Sequence, residues 1–167
     1  MDPELGKLAD ELKNKTGLDL ADLLRGTHAE TVMVVASILS DTLELALRCR
    51  FLLEKKPAND RMFKQNGPLG TLQKRIDAAH KQKLIDDTAR KDAHLVRLVR
   101  NKFSHSREKL HFDNAEIVAL IKRMSTYETA ATNQDAFLNA QGNAIDQAAQ
   151  AVKALREAAA QPEATTA

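Results

Sequence analysis

The chain has 167 residues, 43% of them hydrophobic and 29% charged, a balance that suits one folded domain and argues against global disorder. Six glycines and four prolines are about half of average usage, and with 4% aromatics this favours helices over short strands and turns. The single cysteine, Cys49, excludes an internal disulfide and a cysteine-based zinc cluster. No N-terminal run resembles a signal peptide, and no stretch of about 18 apolar residues is available to span a bilayer, so the expected setting is the reducing cytoplasm, away from the membrane.

Residues 1–26 read as two short helices broken near Gly17, with Leu18, Leu20, Leu23 and Leu24 on the apolar side. From Thr27 to about Glu54 runs the longest helical pattern. Thr27 is its N-cap, Glu30 stands at the capping-box position, and Val32, Val35, Ile38, Leu39, Leu43, Leu45, Ala46, Cys49 and Leu52 cover more than a narrow stripe. This breadth places the helix at the centre of the domain, with Glu44 and Arg48 paired on its polar side. Residues 55–60 break it. A turn at Asn66-Gly67-Pro68, with Pro68 suited to a first helical turn, leads to a helix carrying Leu72, Ile76, Ala79 and His80. Asp86 or Asp87 caps the next, which runs to about Ser104 with Ala89, Ala93, Val96, Val99 and Phe103 on one side. Asp113 or Asn114 caps another, carrying Ile117, Val118, Leu120 and Ile121. In the Ala-rich end, Ile145, Ala148, Val152, Leu155 and Ala159 form a seam that Gly142 is positioned to split.

The expectation is an all-α single domain, a helical bundle around a long central helix, assembled as a homodimer. It comprises N-terminal short helices (1–26), a helical core (27–126), an Ala-rich helical region (127–160) and a flexible tail (161–167).

Charge is unevenly spread. Residues 48–123 hold 19 Lys and Arg against 9 Asp and Glu, whereas the two flanks together hold 6 against 14. A basic middle attracts phosphate or an acidic partner, unless the acidic flanks fold over and screen it. Phosphate-binding glycine loops, nucleophile elbows and zinc-binding His-Glu-x-x-His helices do not occur, so no cofactor or metal is expected.

One cluster stands out, Arg97-Leu98-Val99-Arg100-Asn101-Lys102-Phe103-Ser104-His105. On a helix Arg100 borders the buried stripe and needs an acceptor, for which Asp41, Asp92 or a backbone carbonyl are candidates. A functional reading makes Arg100 a phosphate anchor and His105 a proton-transfer group in RNA cleavage, with Asn101 an orienting donor. A structural reading places these cations at a helix C-terminus, where the macrodipole favours them. Direct DNA reading fits less well. The segment Thr27–Leu39 would be a recognition helix after Gly26, yet it is mostly apolar and holds no Arg, Lys, Asn or Gln.

The blocks from Asp41 to Leu53, from Asn66 to Ala79, Lys83-Leu84-Ile85-Asp86, and from Asp92 to His105 resemble, in this order, the mannitol operon repressor family. The likeness spans roughly residues 25–125. It implies an all-helical cytoplasmic regulator, and since no DNA-reading element is apparent, it points to a non-enzymatic role through a protein partner. In that reading Asp41, Arg48, Asn66, Arg97, Arg100, Asn101 and His105 form a polar network or partner groove. If Arg100 is a buried ion-pair partner, its removal is expected to cost about 3–5 kcal/mol. The Arg100…His105 spacing, with Asn101 following the arginine, is also similar to the Arg-x(4–6)-His motif of HEPN domains. This implies a metal-independent ribonuclease or RNA-binding protein whose site is completed by a homodimer.

Overall fold

Thr27 opens the longest helix as a complete capping box. Its hydroxyl accepts from the Glu30 N–H and the Glu30 carboxylate accepts from the Thr27 N–H, so two orphan donors are satisfied at once. The computed structural model describes residues 27–52, 60–107 and 109–161. The two helices expected within 1–26 and nearly all of the expected tail lie outside the described residues. Among the described residues the fold is all-α, with six helices: α1 His28–Arg50, α2 Asp60–Phe63, α3 Leu72–Lys81, α4 Asp87–His105, α5 Ala115–Ile121 and α6 Asn133–Ala160.

Helix α1 is central, as its broad apolar surface predicts. Val32, Leu39, Leu43, Ala46 and Leu47 are fully buried, and α3, α4 and α6 all pack against it. It stops earlier than the expected Glu54. Leu52 takes a left-handed conformation (φ 56°) and its N–H returns to the Cys49 carbonyl, closing the helix four residues sooner. Helix α3 ends in the same way without glycine. Lys83 is left-handed (φ 59°), its N–H reaches the His80 carbonyl and that of Leu84 reaches Ala79, forming a Schellman motif.

Helices α1 and α3 run side by side in the same direction, since Arg75 meets Ser40 and Arg50 meets Gln82. Helix α4 turns back along them. Asp86 caps it by accepting from the Ala89 N–H, and this bond, helped by Gln147, holds the Asp86 carboxyl below its usual value of 3.8. Helix α6 returns beside α1 and α4. Its Ala136, Ala140, Ala144 and Ala148 are spaced by four residues and fully buried, small side chains that let its backbone lie close to its neighbours.

The Ala-rich region is thus part of the same core, and its buried face starts earlier than the expected seam. Ile145 and Leu155 are half-buried and Ala159 is exposed. Gly142 does not split it, because packing on both sides overrides a single poor helix former. Ala140 and Ala144 are buried, and Gln141 donates to the Val35 carbonyl at 3.1 Å.

One end of the bundle is closed by aromatic packing. Phe112 lies 5.4 Å from Phe137 and 5.9 Å from Phe103, ring centre to ring centre, and its N–H donates to His28 Nδ1 at 3.1 Å. The start of α1 is thereby tied to the chain leaving α4.

Candidate functional site

The residues expected to form one polar network fall into two groups, one around Glu44 of α1 and one on the C-terminal half of α4. The first is built around an arginine that sequence reading passed over. Arg75 sits on α3 next to Ile76 and, like it, faces the core, where it is only 9% exposed. Its Nε donates to the Leu69 carbonyl at 2.9 Å, one terminal nitrogen to the Ser40 hydroxyl at 2.8 Å, and the other pairs with Glu44 at 2.7 Å. Glu44 also holds Arg48 at 2.7 Å, the pair expected from their spacing, and the Arg48 guanidinium lies 4.3 Å from the centre of the Phe63 ring.

These contacts fasten the turn between α2 and α3. The Leu69 N–H donates to the Met62 carbonyl, Lys74 Nζ to the Gly67 carbonyl and Arg75 to the carbonyls of Phe63 and Leu69. The turn is so tight that a Cβ at Gly67 would collide with the Arg61 carbonyl and one at Gly70 with the Lys64 carbonyl. Asn66 is exposed on this turn. Pro68 is not in the first turn of α3 as expected: Thr71 caps that helix and Pro68 lies in the turn before it.

Asp41, also on α1, is half-buried and engaged. Asp77 of α3 binds α4 by accepting from Arg90 at 2.8 Å and meeting His94 at 3.1 Å. The Arg90 hydrogen bond, reinforced by His94, holds its carboxyl below the usual range.

The second group lies on the C-terminal half of α4. Arg100 is half-buried and donates to the Asn101 side-chain oxygen at 3.3 Å. It pairs with neither Asp41 nor Asp92 there. Asp92, fully buried, instead accepts from the Ser125 N–H at 3.0 Å and from its hydroxyl. Arg97 is half-buried and its Nε is buried without a hydrogen-bond partner. His105 is exposed at the last position of α4, on the same face as Asn101 four residues earlier. Among the described residues no group of three or more His, Cys, Asp or Glu side chains is arranged to hold a metal ion.

The fold and site define an all-helical bundle with a clamped turn between two helices and an arginine pair on the C-terminal half of α4. The family model described as "Domain of unknown function (DUF4145)" matches residues 33–141, and the chain belongs to that family. Among solved structures it is similar to a chain in the X-ray structure of the MtlR-HPr complex from Escherichia coli, with a TM-score of 0.54 and 16% identity over 81% of this chain and 94% of that one. At this identity the likeness is one of fold, and that fold is mannitol-repressor-like. No curated protein matches the sequence.

The two groups differ in what they do for stability. The Glu44 side chain, 14% exposed, neutralises two arginines, so Glu44→Ala is expected to cost about 2–3 kcal/mol, somewhat under a fully buried pair. Arg100→Ala removes one hydrogen bond to an adjacent residue and no ion pair, and is expected to cost about 1 kcal/mol or less instead of the 3–5 expected of a buried pair. Urea unfolding of both variants checks this ordering. A larger loss for Arg100→Ala than for Glu44→Ala would contradict it.

Proposed function

We propose that this protein is a non-enzymatic transcriptional regulator of the mannitol-operon-repressor type that acts through a protein partner. The carrying observation is the fold shared with a chain of the MtlR-HPr complex over 94% of that chain's length. An HPr protein is accordingly the first partner to test. The described half of the helix-turn-helix candidate supports action through a partner over direct reading of DNA. Val32, Val35, Ala36 and Leu39 of α1 are buried in the core, and the residues left exposed between Thr27 and Leu39 are Thr27, Ala29, Glu30, Met33 and Ser37, which offer a major groove no Arg, Lys, Asn or Gln to read base edges. Titration calorimetry with purified HPr is expected to give a saturable complex, while the chain alone leaves operator DNA unshifted in a gel at about 0.15 M salt. Absence of a complex removes HPr as the partner, and a sequence-selective shift by the chain alone overturns the mechanism.

A second reading, a metal-independent ribonuclease, is favoured by the Arg100–Asn101 hydrogen bond and the exposed His105 on the Asn101 face. Here Arg100 anchors phosphate, Asn101 orients it and His105 moves the proton. Cleavage of labelled RNA without metal by the wild type but not by His105→Ala supports it. Equal cleavage, or none by either protein, removes it.

A further inference from the structure

Arg97 and Arg100 are three residues apart on α4, so their side chains are neighbours on the helix surface. Among the described residues no carboxylate pairs with either. The acids of the surrounding elements are engaged elsewhere: Asp77 with Arg90 and His94, Asp92 with Ser125, Glu116 with Lys102. The strand of charge continues beyond them, since residues 97–109 hold five Lys and Arg against the single acid Glu108. Two uncompensated guanidiniums one turn apart repel each other, and the Arg97 Nε carries a desolvation penalty with no acceptor in return. Within the isolated chain these features bring no stabilisation. They become favourable once an external carboxylate accepts from both forks, the geometry in which arginine outperforms lysine.

On the reading that the protein works through a partner, we propose that Arg97 and Arg100 form the receptor for an Asp- or Glu-bearing segment of that protein. Asn101 holds the Arg100 fork in place through its side-chain oxygen, and its amide NH2 adds a neutral donor beside it. Two observations favour an acidic protein segment over single-stranded RNA. Both arginines are half-buried, so they are less open than the exposed cations with which a groove tracks a phosphate backbone. Base stacking needs accessible aromatic faces, and the five Phe and one Tyr of the chain are all buried or half-buried.

The test uses the full chain labelled with nitrogen-15 and follows the side-chain Nε–H signals of Arg97 and Arg100, assigned by their loss in Arg97→Lys and Arg100→Lys. Hexaglutamate at about 0.1 M salt is expected to shift both signals saturably, well inside the range where exposed charges are screened. Arg97→Gln and Arg100→Gln each weaken that binding about tenfold. Arg61→Gln, at an exposed position of α2, leaves it unchanged, and the melting temperatures of Arg97→Gln and Arg100→Gln stay close to wild type because no ion pair is lost.

Uniform shifts across all surface cations, unchanged affinity in the variants, or tighter binding of a uridine decamer than of hexaglutamate at these arginines each overturn the proposal. A saturable HPr complex that forms without any response at Arg97 and Arg100 also overturns it while leaving partner-based regulation standing. A hexaglutamate response that depends on both arginines, in a chain that forms no HPr complex, supports the acidic receptor and removes only HPr as its source.

Discussion

The Arg75 guanidinium joins α1, the end of α2 and the turn that leads into α3. A single side chain on α3 binds the Glu44 carboxylate and the Ser40 hydroxyl of α1, the carbonyl of Phe63 at the end of α2 and that of Leu69 in the turn. Arginine suits this place because five N–H donors in a rigid plane can meet four acceptors from different directions, and Glu44 supplies the charge that makes burial affordable. Without Glu44, two arginines would face each other over the Phe63 ring. Without Arg75, the carbonyls of Phe63 and Leu69 would lose their donors. The tightness that demands Gly67 and Gly70 follows from how closely this turn is drawn onto the chain before it.

The rest of the bundle relies on shape more than charge. Helix α6 approaches α1 and α4 through alanines, so its contribution comes from many close backbone contacts and one side-chain bond from Gln141 to Val35. The far end is sealed by Phe103, Phe112 and Phe137 with His28 beside them. Such a core leaves few polar groups unsatisfied, which is why the buried Nε of Arg97 is conspicuous. A local rule broken at one place in an otherwise consistent fold is where function is most economically sought.

Much of this was legible in advance because helices announce themselves locally. The Thr27 box, the Asp86 cap, the Glu44–Arg48 spacing and the fourfold spacing of apolar residues each depend on neighbours within one turn. What escaped reading depends on partners far along the chain. Arg75 stands between Lys74 and Ile76 and resembles part of a solvated basic run, and only its register with Ile76 and Ala79 hints that it faces inward. Gly142 suggested a break, yet packing on α1 and α4 decided the outcome. Pro68 fits a helix start in isolation, while the turn geometry placed the start at Thr71. For the candidate site, Arg97, Arg100, Asn101 and His105 were readable as a cluster. Their acceptor was not, because Asp92 answers to Ser125, thirty-three residues away in sequence.

The Arg75–Glu44 pair holds the 60–72 segment onto α1. Native-state hydrogen exchange of the Leu69 amide, which donates to Met62 at 2.8 Å, tests it most directly. In Glu44→Ala, Leu69 and its neighbours in the turn are expected to exchange at least tenfold faster than in wild type, with amides in the middle of α6 changing only as far as global stability changes. Equal acceleration everywhere, or a Leu69 amide as protected as before, would contradict it.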